Sequence, residues 1–419
     1  MDGEVPNGWA KVSLGQIAEI RIGGTPARAR PEFWARHGEA GHKWLAISDM
    51  KGRLIAQTAE RITDAGVQNS NVKLLPAGTL VMSFKLSVGR TGVLAEPMYT
   101  NEAIAGFITR DGHDSGFLRH YLEHYNFSEA ADRAVKGVTL NKGKLAGLAV
   151  MLPPPEEQRC IARVLDAIDE AIEKTEAVIA ATEQVRKALL QELLTRGVPG
   201  WHTEWKTVPG IGTIPACWEL VRLGDCGAWL SGGTPSKDRS DYWSGAVPWI
   251  SPKDMKRREL FDAIDHVTEA GARAGSRIVE PGTILLVVRG MILAHSFPVA
   301  IARVRCAFNQ DIKALVCHSD ISPDFLLAVL ESRKAELLHL PTPSTHGTMR
   351  VITEELQSLM VPKPAPKEQG RIAELVAAVD LRIATEQCQL EVLKRIKDLL
   401  ADALLSGRVR VPLVEEVTA

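Results

Sequence analysis

The sequence contains one long segment written twice, and this repeat constrains the fold more than any other feature. Three segments of the first half return in the same order in the second half: 9–15 at 218–224, the Gly-Gly-Thr-Pro turn 23–26 at 232–235, and the Pro-rich segment 153–158 at 364–369. The offset grows from 209 residues (9 to 218) to 211 residues (153 to 364). An offset this long indicates two copies of a whole domain with its connector rather than a solenoid.

Each copy has a mixed first part and a helical second part. The first parts, 1–152 and 201–362, contain short β-like runs separated by Gly and Pro turns, together with a helical stretch near their ends. The second parts, 153–200 and 363–419, are dominated by helix formers after a Pro-rich start. The predicted fold class is therefore α+β, with two tandem mixed α/β domains joined and separated by two long helices.

Both helical parts carry an apolar heptad seam. The seam positions alternate in steps of four and three. Their apolar residues are Ile161, Leu165, Ile168, Ile172, Ile179, Leu189 and Leu193 in the first helix, with Thr175 and Thr182 between them, and Ile372, Val376, Val379, Ile383, Leu390, Leu393, Leu400 and Leu404 in the second. Arg186 interrupts the first seam, whereas Glu386 and Lys397 interrupt the second. These residues predict helix pairing, because a single amphipathic helix cannot bury its own stripe.

The two helices are expected to form an antiparallel coiled coil. About 40 residues give a rod of roughly 60 Å at 1.5 Å per residue. The domain between the helices must connect the end of one helix to the start of the other, which favours the antiparallel arrangement over a parallel one. The alternative is that each helix packs on its own domain.

Composition and cysteine usage indicate a protein of the cytoplasm. The chain is 45% apolar and 24% charged, as is typical of globular proteins, and its longest apolar runs are far too short to span a membrane. No apolar signal region follows the first residues. The six cysteines are scattered without a Cys-x-x-Cys pair, so neither a zinc site nor a disulfide framework is expected, and no metal site is predicted.

Two similar domains held apart by helices suit a bipartite linear target. DNA is the obvious polymer with a regular pitch, roughly 34–36 Å per turn, so a rod of roughly 60 Å would place the two domains between one and two turns apart. The two domains repeat their framework residues but not their charged loops: the segment 85–90 (Lys-Leu-Ser-Val-Gly-Arg) stands opposite 289–294 (Arg-Gly-Met-Ile-Leu-Ala). A common scaffold with different loops predicts two different half-sites and therefore an asymmetric target.

The chain resembles the specificity subunit of a Type I restriction–modification system over essentially its whole length. The resemblance rests on the order of the features above: a Trp and Leu-Gly start, the Gly-Gly-Thr-Pro turn, and the Pro-rich Glu-Gln segment before a heptad helix, each occurring twice. It implies target-recognition domains at 1–152 and 201–362 and helical spacers at 153–200 and 363–419. Each domain is expected to read half of a split DNA sequence through the major groove.

The resemblance also implies partners and cofactors. The helices are expected to dock two methyltransferase subunits, and restriction subunits are expected to join in the full complex. S-adenosylmethionine, ATP and magnesium would then belong to the partner subunits and not to this chain. The setting would be a bacterial or archaeal cytoplasm, with no membrane partner.

The motifs of the expected enzymatic steps do not occur in the sequence. It contains no Asn/Asp-Pro-Pro-Tyr/Phe motif of the kind an adenine methyltransferase needs, and no Gly-x-x-x-x-Gly-Lys-Ser/Thr loop for ATP phosphates. The segment 253–256 (Lys-Asp-Met-Lys) is similar to part of a nuclease site, but its counterpart 48–51 (Ser-Asp-Met-Lys) favours a framework role. Two alternatives remain: a coiled-coil scaffold that joins two protein-binding modules, and a fused enzyme.

Candidate DNA contacts are chosen by residue type and loop position. They are Thr25, Lys43, Lys51, Lys85, Arg90, Asn141, Lys142, Thr234, Lys253, Arg257, Arg258 and Arg289. Arginine can bind guanine with two hydrogen bonds, and lysine can contact guanine or phosphate. The competing interpretations are a turn cap for the two threonines, a structural segment for Asn141 and Lys142, and a solvated surface charge for the others.

The distribution of charge predicts only modest DNA affinity for the chain alone. The net charge is −1, from 50 basic and 51 acidic residues. Residues 1–150 carry 18 basic and 15 acidic residues, and residues 201–360 carry 17 and 18. Because neither domain is strongly basic, partner subunits are expected to supply much of the attraction to phosphate.

Overall fold

The structure, a computed structural model, describes residues 5–36, 38–85, 87–127, 132–134, 137–343 and 348–411. The chain divides into two compact units. The first unit comprises Met1–Glu176 and Cys388–Ala419, and the second comprises Ala177–Gln387. Each unit therefore contains one predicted domain with half of each long helix, so the division falls inside the helices and not at the predicted boundaries. Residues 412–419 of the predicted C-terminal spacer lie outside the described residues.

The first unit begins with thirteen strands and four short helices. The strands are β1 Ala10–Ser13, β2 Ala18–Ile22, β3 His42–Leu45, β4 Leu54–Ile55, β5 Glu60–Ile62, β6 Leu74–Leu75, β7 Leu80–Ser83, β8 Thr91–Leu94, β9 Met98–Thr100, β10 Ile104–Thr109, β11 Asp132–Ala134, β12 Gly137–Thr139 and β13 Ala149–Leu152. The helices are α1 Leu14–Ile17, α2 Asp64–Gln68, α3 Ser115–His124 and α4 Lys142–Ala146. The long helix α5, Pro155–Arg196, follows and continues into the second unit.

The second unit repeats this order, with an additional hairpin at its start, Trp205–Val208 with Gly212–Pro215, and an additional short helix, Lys334–Leu337. Its strands are β14 Trp205–Val208, β15 Gly212–Pro215, β16 Glu219–Arg222, β17 Gly227–Ser231, β18 Trp243–Ile250, β19 Glu259–Leu260, β20 Asp265–Val267, β21 Ile278–Val279, β22 Ile284–Val287, β23 Val299–Ala302, β24 Cys306–Phe308, β25 Ile312–Cys317, β26 Thr342–Pro343, β27 Met349–Arg350 and β28 Met360–Lys363. Its helices are α6 Glu269–Gly275, α7 Pro323–Ser332, α8 Lys334–Leu337, α9 Thr353–Ser358 and the long helix α10, Pro366–Leu405.

Equivalent sheets have the same strand order in the two units. The five-stranded sheets run β2-β10-β7-β8-β4 and β17-β25-β22-β23-β19, and the four-stranded sheets run β5-β3-β9-β6 and β20-β18-β24-β21. Most neighbouring strands are antiparallel, but each unit has two parallel pairs: β3 with β9 and β4 with β8 in the first, and β18 with β24 and β19 with β23 in the second. The predicted α+β class is therefore confirmed for both copies, and the repeat extends to the pairing of individual strands.

The framework tryptophans lie in or beside the cores. Trp9, Trp44, Trp218 and Trp249 are buried. Trp34 packs edge-on against Trp44 with ring centroids 5.0 Å apart, and Trp243 packs in the same way against Trp249 at 5.3 Å. The recurrence of these residues in the sequence thus reflects the packing of the domain and not a surface for stacking bases.

The long helices run antiparallel to each other inside each unit. In the first unit, Glu176 and Asp169 of α5 pair with Lys394 and Lys397 of α10, so the α10 number rises as the α5 number falls. In the second unit, Arg186 of α5 pairs with Asp380 of α10, and Glu368, near the start of α10, accepts a hydrogen bond from the backbone just beyond the end of α5. The predicted antiparallel pairing is therefore confirmed.

The predicted seam residues divide into two groups. The six at the helix ends are buried in the domain cores: Ile161, Leu165 and Leu404 in the first unit, and Leu193, Ile372 and Val376 in the second. The nine central ones are half-buried: Ile168, Ile172, Ile179, Leu189, Val379, Ile383, Leu390, Leu393 and Leu400. The helices thus pack both on each other and on the domains, so the two arrangements weighed from the sequence occur together.

Among the described residues, no helix is both long enough and apolar enough to cross a membrane.

Candidate nucleic-acid interface

The repeated Glu-Gln segment begins each long helix and secures it to the domain start. Glu157 accepts a hydrogen bond from the indole nitrogen of Trp9 at 3.1 Å and is also bonded by Arg410, which follows α10. In the second unit, Glu368 accepts from the indole nitrogen of Trp218 at 2.9 Å and contacts His202, which follows α5, at 2.6 Å. Each glutamate therefore ties a helix start to the framework tryptophan and to the segment that follows the other helix.

The neighbouring glutamine holds the short helix of the recognition domain. The side-chain oxygen of Gln158 accepts from the backbone nitrogen of Asp114 at 2.9 Å, and that of Gln369 accepts from the backbone nitrogen of Ser322 at 2.7 Å. Asp114 and Ser322 are the N-caps of α3 and α7. The motif is therefore structural, because it fixes the position of one domain helix against each long helix.

The Gly-Gly-Thr-Pro turns need glycine because the last residue of β9 in the first unit, and of β24 in the second, lies very close to the turn. A Cβ at Gly23 would lie 2.1 Å from the carbonyl oxygen of Thr100, and one at Gly232 would lie 2.3 Å from that of Phe308. The indole nitrogens of Trp44 and Trp249 donate to the carbonyl oxygens of Gly24 and Gly233 at 2.9 and 3.0 Å. These turns are framework, and they bring their threonines to the domain edge.

A cluster of charged residues, the first junction, joins α3 to both long helices in the first unit. The guanidinium of Arg119, which is only 3% exposed, bonds Asp166 at 2.7 Å and Asp169 at 2.8 Å on α5, and Glu123 on α3 at 2.9 Å. Lys397 of α10 contacts Asp169 at 2.7 Å and Glu123 at 3.3 Å. Opposite charges from three helices therefore meet at one place.

Two carboxylates of the first junction, Glu123 and Asp169, have lowered pKa values in spite of their partial burial. Burial works to raise the pKa of Glu123, but Arg119 and Lys397 outweigh it, so the pKa lies below its ordinary value. The pKa of Asp169 is lowered in the same way against its burial, by hydrogen bonds from Lys397 and Arg119. Burial, together with Arg119, lowers the pKa of His120, so this imidazole is neutral at pH 7.

His120, Asp166 and Asp169 also offer oxygen and nitrogen atoms within 4.8 Å of one another, as a metal site would. The guanidinium of Arg119 already bonds both carboxylates and lies 2.8 Å from Nε2 of His120. The positive charge that this group of residues requires is therefore supplied by the protein itself.

The second unit has a corresponding cluster, the second junction. Arg186 of α5 bonds Glu331 of α7 at 2.8 Å and also pairs with Asp380 of α10. Arg258, which precedes β19, pairs with Asp380 and lies 3.5 Å from Glu331. Arg186 and Lys397 had seemed to be mere interruptions of the heptad seams, but each one is a central member of a junction.

Two of the predicted DNA contacts point into their units. The second junction binds the Arg258 guanidinium, and burial lowers the pKa of Arg258. The Lys43 side chain is only 11% exposed, and its ammonium pairs with Glu96 and donates to the carbonyl oxygen of Ala56 at 2.5 Å. Both cations are therefore paired within their own units, and DNA contact by Lys43 and Arg258 stays a prediction.

Three further candidates, Thr25, Thr234 and Asn141, make hydrogen bonds within their own units. Thr25 donates to Glu102, and Thr234 donates to Gln310 at 2.5 Å. The Asn141 side chain caps α4 by accepting from the backbone nitrogen of Lys144 at 2.9 Å. These side chains stabilise turns and a helix start, as the alternative interpretation expects.

The remaining candidates lie on surface loops, except Lys142, which is the first residue of α4. Lys51, Arg90, Lys142, Lys253, Arg257 and Arg289 are exposed, and Lys85 is half-buried. The Lys85 ammonium lies 5.4 Å from the ring centroid of Phe84, and Arg90 reaches the carbonyl oxygen of Ile47 at 3.4 Å. The bond from Arg90 brings the loop after β7 next to the turn that precedes Lys51.

Arg289 lies beside a second arginine that the sequence did not single out. The two residues form an isolated antiparallel bridge, Arg289 with Arg350 of β27. Both side chains are exposed. Arg350 lies in the segment 347–351, the counterpart of 137–141, for which a structural role is the competing interpretation. The sequence does not show that this segment lies opposite Arg289.

Comparison with known proteins fits this geometry. The family described as "Type I restriction modification DNA specificity domain" matches residues 6–183 and 215–395. The two matches together cover well over half of the chain. The chain belongs to this family. Each match begins near the start of one recognition domain and ends within one long helix, so the specificity-domain unit is the same repeat that the sequence shows.

Individual members of the specificity family are similar over different lengths. A Type I restriction enzyme specificity subunit of Escherichia coli is 34% identical over 164 residues, which cover 39% of this chain and 41% of that protein. The MjaIX specificity subunit of Methanocaldococcus jannaschii is 23% identical over 98% of this chain and 95% of its own length. The S subunit structure from M. genitalium, at 14% identity, has a TM-score of 0.60 and covers 96% of this chain and 97% of that one. This structural similarity shows a common fold.

Proposed function

We propose that this chain is the DNA sequence-specificity subunit of a Type I restriction–modification complex. Each recognition domain binds one half of a bipartite, asymmetric DNA site. The two long helices set the spacing of the half-sites and dock methyltransferase subunits. The proposal follows the family to which the chain belongs and extends it to residues of this structure.

One observation supports this function above the others: equivalent sheets carry different loops. The strand order β2-β10-β7-β8-β4 of the first unit is repeated by β17-β25-β22-β23-β19 of the second. The loop after β7 presents Lys85 and Arg90, whereas the loop after β22 presents Arg289 followed by exposed Met291. Because base edges are read by side chains on such loops, the two domains are expected to read different sequences.

Chemistry belongs to the partners in this proposal. Two methyltransferase subunits bring S-adenosylmethionine and methylate adenine, and restriction subunits bring ATP and magnesium. The chain itself is non-catalytic and works in the cytoplasm of a bacterium or an archaeon. Neither recognition domain is strongly basic, with 18 basic and 15 acidic residues in 1–150 and 17 and 18 in 201–360, which supports a complex whose partners supply much of the attraction to phosphate.

An exposed apolar stripe on α10 supports docking of a methyltransferase subunit. In the first unit Val392, Ile396 and Leu399 are 53%, 40% and 62% exposed. Their spacing of four and three residues puts them on one face of the helix. Leu399→Glu is expected to weaken co-purification of the methyltransferase subunit while leaving the thermal unfolding of the chain unchanged. Retained co-purification would contradict docking at this face.

Methylation mapping tests the function directly. The chain is co-expressed with its methyltransferase subunit, and methylated adenines are located across the host genome. We expect one asymmetric bipartite motif that disappears when this chain is omitted. Methylation without such a motif would overturn the specificity function and favour the alternative of a scaffold for protein-binding modules. Methyl transfer by the isolated chain would instead indicate a fused enzyme.

The role of the helices in spacing has its own test. One heptad is inserted in α5 after Glu176 and one in α10 after Gln387, which keeps the paired faces in register. Seven residues add about 10 Å, so the spacer of the methylated motif should grow by about three base pairs with both half-sites unchanged. A heptad in α5 alone is the control, since it puts the helices out of register and should abolish methylation. Altered half-sites in the double insertion would contradict the modular design.

A further inference from the structure

We infer that Arg289 and Arg350 together form a contact through which the second recognition domain reads base edges in its half-site. This inference rests on the proposed function and adds to it a residue, Arg350, that only the fold brings into place. The contact lies where β27 meets the loop that follows β22.

Two backbone hydrogen bonds place Arg289 and Arg350 directly opposite each other, in the type of antiparallel pair in which the facing residues are closer together. The backbone nitrogen of Gly290 donates to the carbonyl oxygen of Met349 at 2.9 Å, and that of Val351 donates to the carbonyl oxygen of Val288 at 2.8 Å. These bonds flank the arginine pair on both sides, so Arg289 and Arg350 form a non-hydrogen-bonded pair. In such pairs the facing Cα atoms are about 4.5 Å apart and both side chains leave the same face.

Two like charges at such a position destabilise the strand pair unless an anion or an electron-rich group binds them. Among the described residues, no carboxylate lies within ion-pair distance of either guanidinium. Other arginines of this unit are paired: Arg303 with Glu259 and Asp324, and Arg333 with Glu336. The exposed pair therefore presents ten N–H donors to the outside, and the described part of the chain offers no carboxylate to balance their charge.

The neighbouring side chains favour a base edge over a phosphate. A short 3-10 helix, Met291–Ala294, follows Gly290, and its first two residues, Met291 and Ile292, are 61% and 37% exposed. Apolar side chains suit the methyl groups and base edges of the major groove, whereas phosphate lies in water and is bound by polar groups. Guanine offers O6 and N7 to one arginine, and a second arginine can bind the adjacent base or position the first.

The first unit keeps the backbone contact that holds the arginine pair, but it has other residue types at the two positions. The backbone nitrogen of Leu140 donates to the carbonyl oxygen of Phe84 at 3.1 Å, which is the equivalent of the bond from Val351 to Val288. Lys85 and Thr139 therefore occupy the positions of Arg289 and Arg350. The same backbone contact carries different side chains in the two domains, as expected of a position that determines sequence preference.

The test measures methylation by the complete complex of this chain with its methyltransferase subunit. The substrates are synthetic duplexes that carry the motif mapped for the wild type, each with one base pair changed. We expect Arg350→Lys and Arg350→Ala to lose roughly ten- to hundred-fold in preference at one guanine of the second half-site, and to keep full discrimination in the first. Arg273→Ala is the matched control, since Arg273 is exposed on α6 and pairs with Glu269 at 3.7 Å.

Other outcomes would overturn the inference. A uniform loss across all duplexes, with a weaker dependence on salt, would make the pair a phosphate contact. Unchanged preference in both variants, with unchanged thermal unfolding, would remove the pair from the interface. If the wild-type complex itself shows no sequence preference, the proposed function fails, and that result is distinct from a failure confined to the Arg350 variants.

Discussion

The two junctions carry out the same task with positive charges from different places. In the first junction a buried arginine on α3, Arg119, bonds two carboxylates of α5, and Lys397 adds a second cation from α10. At the position equivalent to Arg119, α7 has Leu327, which is fully buried in the core. The second junction takes its cations from Arg186 and Arg258 instead. The carboxylates therefore lie at equivalent positions of the two units, whereas the positive charge that balances them comes from different positions.

The acids occupy equivalent positions in both junctions. Glu123 and Glu331 are the ninth residues of α3 and α7. Asp169 and Asp380 differ by 211 residues, which is the offset of the helical repeat. Because the two helices exchange roles, the first junction takes its aspartate from α5 and its lysine from α10, and the second takes its arginine from α5 and its aspartate from α10.

The largest difference between the junctions should appear when the helix aspartate is removed. Asp380→Leu leaves Arg186 and Arg258 to share Glu331, and all of these side chains are at most 23% exposed. We expect the second unit to lose about 3 kcal/mol of stability. Asp169→Leu leaves Arg119 with Asp166 and Glu123, and Lys397 with Glu123, so the first unit should lose less, about 1–2 kcal/mol. Hydrogen exchange in each unit measures both losses.

Asp402→Leu is the control for both variants. Its carboxylate is 56% exposed and pairs with Arg408 at the surface, so the change should cost less than about 0.5 kcal/mol. Equal losses in Asp169→Leu and Asp380→Leu would contradict the idea that the first junction has an additional carboxylate, Asp166, that still pairs with Arg119.

A smaller effect should follow from exchanging the cations. Lys397→Arg places in the first junction the residue type found at the equivalent position 186, and it should change stability by less than about 0.5 kcal/mol. Lys397→Met removes the charge and should cost about 1 kcal/mol, because Arg119 still serves Asp169 and Glu123. Denaturant unfolding of the two variants measures the difference. If arginine proves as costly as methionine, shape and not charge governs this position.

The smallest expected difference is one of pH dependence. Burial and Arg119 lower the pKa of His120, whose equivalent in the second unit is Ala328. As the pH falls through about 6.5, the unfolded histidine takes up a proton that the folded one does not. The first unit should therefore lose stability between pH 8 and pH 6, and His120→Gln should abolish this loss. Hydrogen exchange, corrected for its intrinsic pH dependence, tests this; a slope that persists in His120→Gln would assign it to another group.

The repeat allowed much of the fold to be predicted from the sequence. The recurrence of Trp9 at Trp218 and of the Glu-Gln segment at 157–158 and 368–369 marks residues that bond each other in both units. The heptad steps predicted two long helices, and their antiparallel pairing followed from chain connectivity. These features succeed because they depend on local periodicity and on a pattern that occurs twice.

The charged residues resisted prediction, because their partners are distant in the chain. Arg186 and Glu331 are 145 residues apart, and Lys397 and Glu123 are 274 apart. A charge in an apolar seam therefore looked like an interruption when it was part of a junction. For the same reason, the sequence does not show that Lys43 and Arg258 are paired within their units, or that Arg350 lies opposite Arg289.

The antiparallel contacts have one more consequence. Helix α5 carries both Asp169 and Arg186, and α10 carries both Asp380 and Lys397. The residue that faces Asp169 is thus the repeat equivalent of Arg186. A single repeat is therefore self-complementary: two identical copies related by a two-fold axis would satisfy each other's acid and base, as in an isologous dimer. Two equal chains paired in this way would carry identical recognition domains and would read a palindromic site. In one joined chain, the two domains can differ and read two different half-sites.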